Sequence, residues 1–220
     1  MYLQNRFLNL SWELGVGMGD AQVTFGKLKR AYEPRAYHNL THIEECLNEL
    51  DGARRLVTNL PAVELALWFH DAVYEVSRET KAGMNEERSA EFAKIEMRNW
   101  GLNEELAGIV EQHILMTKHK HIPGTIDGRI VVDIDMSILG KPWERYAEYK
   151  KGIRKEFACY DWDEFIYGRK KFLSARLTKK NVLFEDEKPQ IFHTGHFYDL
   201  YEKQAQENMA REFGLLAEST

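Results

Sequence analysis

The stretch PAVELALWFHDAVYEV, residues 61–76, is apolar on nearly every side, a pattern that predicts a helix surrounded by others. Elsewhere apolar positions recur at three- and four-residue intervals. They predict amphipathic helices over 2–14, 38–56, 85–99, 103–117, 127–139, 142–158, 161–178 and 196–213. The five prolines, at 34, 61, 123, 142 and 189, fall where these segments begin or end. Asn59-Leu60-Pro61 followed by Glu64 reads as a helix start, Asn99-Trp100-Gly101 as a stop, and Asn103 before two glutamates as the next cap. No Gly/Ser linker or internal repeat interrupts the series. The expectation is an all-α, single-domain helical bundle spanning 1–220, with a core over about 30–140 and C-terminal helices 142–213 packed on it.

Carboxylates inside the apolar segment change the picture. Helical spacing places Glu64, Trp68, Asp71 and Glu75 on one stripe, with His70 about 100° away. A carboxylate buried without a partner costs several kcal/mol, so something cationic must face this stripe. An arginine, a lysine or a metal ion would serve.

Candidate metal ligands come from three predicted helices. AYHNLTHIEECL, 36–47, sets His38 and His42 one turn apart on one face, and His70-Asp71 follows. RIVVDIDMSILG, 129–140, offers Asp133 and Asp135. Asp135 shares its face with Val131, Ile138 and Leu139 and is expected to point inward. Asp133 shares its face with Arg129 and Ser137 and is expected to be exposed or to stand behind the ligands, paired with Arg129. Two imidazoles and two carboxylates suit a divalent transition metal ion (Mn, Co, Ni, Fe or Zn), and admit Mg less readily. Such an ion lowers the pKa of bound water and polarises a phosphoryl oxygen.

The order His … His-Asp … Asp, with the pair inside an apolar helix, resembles the HD superfamily of metal-dependent phosphohydrolases. The stretches YHNLTHI, LALWFHDAVYE, NEERSA and DIDMSILG, with the Arg/Tyr/Glu-rich C-terminal helices, are similar to a subfamily of predicted HD phosphohydrolases over about 30–210. That resemblance implies a helical bundle and a metal set of His42, His70, Asp71 and Asp135. It places Asn85 and Glu86 on the family's NE motif, as candidate substrate-binding residues. YHN-x-x-H also resembles the start of the cyclic-nucleotide phosphodiesterase signature, which makes His38 a candidate general acid. Tyr74 stands where two-metal members carry a further histidine. The number of ions is therefore open, with His113, His119 and His121 the histidines that could add a second.

The remaining residues carry two readings each. Glu75 is either a catalytic base or the end of a helix stripe, and Asn85 is also a plain cap. His113 lies on an apolar face and reads as a packed core residue. His119 and His121 sit in TKHKHIPG, a solvated basic loop, with His121 a candidate phosphate contact. Cys46 and Cys159 read as inert buried thiols. A net charge of −5 and a pI near 5.9 leave no basic stripe for a nucleic-acid duplex. No apolar run approaches a membrane span or a secretion signal, so a cytoplasmic setting is expected. The sequence leads to hydrolysis of a phosphate ester or anhydride of a small nucleotide-like metabolite, with catalysis by His38, Asp71 and Glu75. The alternatives are a non-catalytic metal- or nucleotide-binding module and a di-iron HD-type oxygenase. A homo-oligomer is compatible with the chain.

Overall fold

The computed structural model describes residues 1–177 and 190–218. Thr178, the end of one predicted helix, and Pro189 lie outside them. Among the described residues there are ten α-helices and no strand, as the apolar periodicity predicts. They are α1 (Tyr2–Glu13), α2 (Met18–Tyr32), α3 (Leu40–Ala53), α4 (Leu60–Phe69) and α5 (Met84–Asn99). The rest are α6 (Glu104–Met116), α7 (Ile126–Met136), α8 (Trp143–Glu156), α9 (Trp162–Leu177) and α10 (Gly195–Ala217). No helix is long and apolar enough to cross a membrane. The chain sorts into two compact units: Met1–Glu75 with Glu79–Val131, and Val76–Arg78 with Val132–Thr220.

In the first unit α4 is the axis. Every residue from Ala62 to Phe69 is buried, which explains its nearly continuous apolar sequence. Trp68 meets the Phe7 ring edge-on at 5.2 Å, and Phe69 packs against Phe92 and Trp100. Pro61 at the helix start and the Asn59 side chain, which accepts from the Ala62 N–H, set where α4 begins. The buried Glu64 finds its cation in Arg6 of α1, whose Nε donates at 2.8 Å. The same guanidinium makes two further bonds to Asp51, at 2.7 and 2.9 Å.

Helix α2 is absent from the sequence expectation. Gly15, Gly17, Gly19 and Gly26 give its neighbourhood the composition of a loop. Its buried face, Ala21, Thr24, Phe25, Leu28 and Tyr32, shows that tertiary packing overrides that weak local propensity.

The second difference is the end of α4. The predicted helix runs to residue 76, yet α4 stops at Phe69, and His70 to Ala72 form a turn. The carbonyls of Asp71 and Ala72 accept from Arg35 instead of from later amides of a helix. The Val73 N–H donates to Ser89 Oγ, which leads the chain away. A half-buried cation and a buried hydroxyl thus outcompete the next helical turn.

The second unit packs α10 against the short 3-10 turn Ser137–Gly140 that follows α7. A Cβ at Gly140 would lie 2.4 Å from Tyr201 Cβ and 2.8 Å from the Tyr201 carbonyl oxygen, so only glycine permits this approach. Asn208 donates to the carbonyls of Leu139 and Lys141. Arg169 of α9 forms a bidentate pair with Glu212 of α10, both buried.

Candidate metal centre

His42 and Cys46 lie one turn apart on α3, and His70 and Asp71 occupy the turn that ends α4; all four are buried. Asn39 caps α3, its side chain accepting from the amides of Thr41 and His42, and so fixes where His42 points. His70 Nδ1 lies 2.9 Å from the Leu67 carbonyl oxygen, which can only accept. The proton therefore sits on Nδ1, and Nε2 is left as a lone-pair donor. His42 Nδ1 is held 3.2 Å from the Tyr37 hydroxyl, which turns its Nε2 inward in the same way.

The two Nε2 atoms stand 3.2 Å apart. Asp71 Oδ2 is 3.1 Å from that of His70 and 3.6 Å from that of His42. An ion bound at about 2.0–2.2 Å keeps neighbouring ligand atoms roughly 3.0–3.5 Å apart, so this spacing fits a coordinated cation. Cys46 Sγ lies 3.7 Å from His42 Nε2 and forms with His42 and His70 a second group of three donors. The expectation of an inert buried thiol therefore misses a donor here, and Cys159 is exposed rather than buried. The spacing of four between Cys46 and His42 was the signal available.

The turn that carries the ligands is braced from behind. The guanidinium of Arg35, placed between the rings of Tyr32 and Tyr74 at 5.2 and 5.7 Å, donates to the carbonyls of Asp71 and Ala72. The Tyr32 hydroxyl donates to the Trp68 carbonyl at 2.9 Å. Burial, helped by the charge of Asp71, pushes that hydroxyl well above its ordinary ionisation range. It stays a proton donor at any working pH. Sequence reasoning did not single out Arg35 or Tyr32, since neither is a ligand type.

No protein-family model, curated protein or solved structure matches this chain. The cluster of His42, Cys46, His70 and Asp71 within an all-helical chain is loosely compatible with an HD-type fold, and its donors could hold a metal ion.

The other predicted residues take varied positions. His38 is half-buried; its ring stacks on Tyr74 at 3.9 Å and meets the His42 ring at 5.9 Å. Glu75 is exposed and paired with Arg88 at 2.9 Å. Asn85 clasps the backbone of Glu75, accepting from its N–H and donating to its carbonyl. Glu86 is half-buried in the first turn of α5, and His121 is exposed. His113 is buried in α6, as expected of a core residue. Among the described residues, His113, His119 and His121 join no group of three metal donors. A groove of about 330 Å³ beside Arg6, Asp51 and Glu64 is lined by none of the four clustered residues.

One of the two aspartates of α7 requires a correction. Asp133 is fully buried rather than exposed, and Arg129 donates to the Pro123 carbonyl instead of pairing with it. The Asp133 carboxylate accepts from the amides of His193 and Thr194 and from the Thr194 hydroxyl, at 2.7–2.8 Å, just ahead of α10. Burial pushes its carboxyl up to about 6 against the pull of those three donors. Asp135 is half-buried near the end of α7, in the second unit.

Proposed function

We propose that this chain is a metal-dependent phosphohydrolase, acting on a phosphate ester or anhydride of a small nucleotide-like metabolite. The observation that carries the reading is the convergence of two imidazole Nε2 atoms and one carboxylate oxygen within 3.6 Å. Each imidazole is oriented by a bond to its other nitrogen. His42, His70 and Asp71 would hold a divalent ion. Asp135, fourth in the order of motifs along the chain, is proposed as a further ligand. A bound ion of this kind supplies Lewis acidity toward a phosphoryl oxygen and water that ionises near neutral pH.

The chain's own residues would do the rest. Arg35 and Tyr32 keep the His70-Asp71 turn in place, so the donors need little rearrangement during the reaction. His38, an imidazole stacked on Tyr74 beside His42, is suited to give a proton to the leaving oxygen. Tyr74 limits the directions in which that ring can turn.

The test joins metal content to turnover. Purified protein, loaded with Mn, Co, Ni or Mg, is assayed on nucleoside mono-, di- and triphosphates and cyclic nucleotides. His70→Ala and Asp71→Ala are expected to lose bound metal and to lower kcat by at least about a hundredfold, because the Lewis acid would go with the ligand. Full activity in either variant overturns the mechanism. Tight retention of nucleotide without turnover across the panel points to a binding module instead.

A further inference from the structure

Helix α9 carries two arginines seven residues apart, Arg169 and Arg176, two turns along the same face. Between them stands Phe172, whose ring lies 4.7 Å from the Cζ of Arg169 and 3.7 Å from that of Arg176. The two side chains have very different surroundings. Arg169 is satisfied: two bonds of 2.9 Å to Glu212 and one of 2.9 Å to the Tyr149 hydroxyl use its donors.

Arg176 is half-buried and, among the described residues, lacks such a partner. Among the described residues it forms no ion pair, and its hydrogen bonding is one long contact of 3.4 Å to the Phe172 carbonyl. The charges near it are Arg169, which repels it, and Asp135, which attracts it from beyond ion-pair range. Burial draws its ionisation down to about 10, so it remains a cation at neutral pH. A partly desolvated guanidinium whose N–H groups lack a protein partner favours an anion on its donors. Phe172 covers one face of the plane, which leaves the N–H-bearing edge as the direction of approach. A flat, edge-on fork of N–H groups matches two oxygens of a tetrahedral or planar oxyanion. The chain's net charge of −5 gives anions no general attraction to its surface, so binding must come from a local arrangement.

We propose that Arg176 is the receptor for a phosphate-class oxyanion in the second unit, gripped by the edge of its guanidinium. This goes beyond the hydrolase reading and stands without it, since none of His42, His70 and Asp71 takes part.

The experiment titrates inorganic phosphate into chelator-treated, full-length protein at pH 7 and low salt, followed by calorimetry. Wild type is expected to bind in the millimolar range or tighter. Arg176→Gln should weaken that binding about tenfold or more, because it removes one partner of a charge-assisted pair. Lys171→Gln, at an exposed position on the same helix, should leave it unchanged. Arg176→Lys keeps the charge but not the fork, and should fall between. Absence of phosphate binding by wild type up to about 10 mM overturns the proposal, as does unchanged affinity in Arg176→Gln. If Arg176→Gln does not fold, Arg176→Lys decides, and wild-type affinity there defeats the bidentate grip. Because metal is removed throughout, these outcomes are separate from success or failure of the hydrolase assay.

Discussion

His113 shows how much one side chain can cost. It is 4% exposed, and neither ring nitrogen has a hydrogen-bond partner among the described residues. An unpaired buried polar group costs about 1–3 kcal/mol. His113→Leu is therefore expected to stabilise the protein by about 1–2 kcal/mol, raising the thermal midpoint by roughly 2–8 °C for a chain of this size. Burial holds the imidazole pKa below its ordinary value, opposed by the charge of Asp127. The folded chain thus prefers the neutral ring. Its contribution is complete above the unfolded pKa of about 6.5 and is lost as pH falls below it. Urea midpoints between about pH 5 and 8 should show wild type losing stability on acidification more steeply than His113→Leu. Equal slopes, or a less stable variant, would refute the unpaired-imidazole account. Residue-level chemistry was partly legible: His113 read as core, and His42, His70 and Asp71 read as one group. Asp133 was misjudged because periodicity assumes a solvent face. The second half of α7 has hardly any: Ile130, Val131, Val132, Ile134 and Met136 are all buried. The donors that satisfy Asp133 lie some sixty residues further on, where no local pattern can reach.

Among the helices, α1 is tied to α3 and α4 by one guanidinium. Arg6 neutralises Glu64 on α4, 6% exposed, and Asp51 on α3. Removing one partner of a buried pair leaves the other charge uncompensated, at a cost of about 3–5 kcal/mol. Arg6→Ala is expected to lower stability by about 3 kcal/mol, at the low end because Arg6 is partly exposed. Arg6→Ala/Glu64→Leu should lose much less than the two single changes summed. Additive losses in chemical denaturation would mean that the pair is not coupled. The demand for a cation facing Glu64 was legible from burial alone. Its identity was not, since α1 precedes α4 by nearly fifty residues. Helix existence was read correctly where periodicity was long and caps were explicit, as in α5 and α6. It failed at α2, where glycines mask a buried face, and at the end of α4, where Arg35 redirects the chain.

At the scale of the whole chain, an ion held by this cluster would link metal to folding. A ligand that binds only the native state at about a hundredfold excess over its Kd stabilises by about 2.7 kcal/mol. At that loading the melting midpoint should rise by roughly 5–11 °C over chelator-treated protein. His70→Ala should show no such rise. A wild-type midpoint indifferent to both metal and chelator would count against any bound ion. The all-helical class was legible from composition and spacing, as no stretch of the described residues departs from it.

The clasp of Arg35 on the two carbonyls beyond the His-Asp pair has a practical corollary. An excised segment from His38 to Glu75 would contain all four clustered donors, yet without that guanidinium it would lack the bend that spaces them. Grafting this centre into another scaffold therefore means carrying the stretch ahead of α3 along with the two helices.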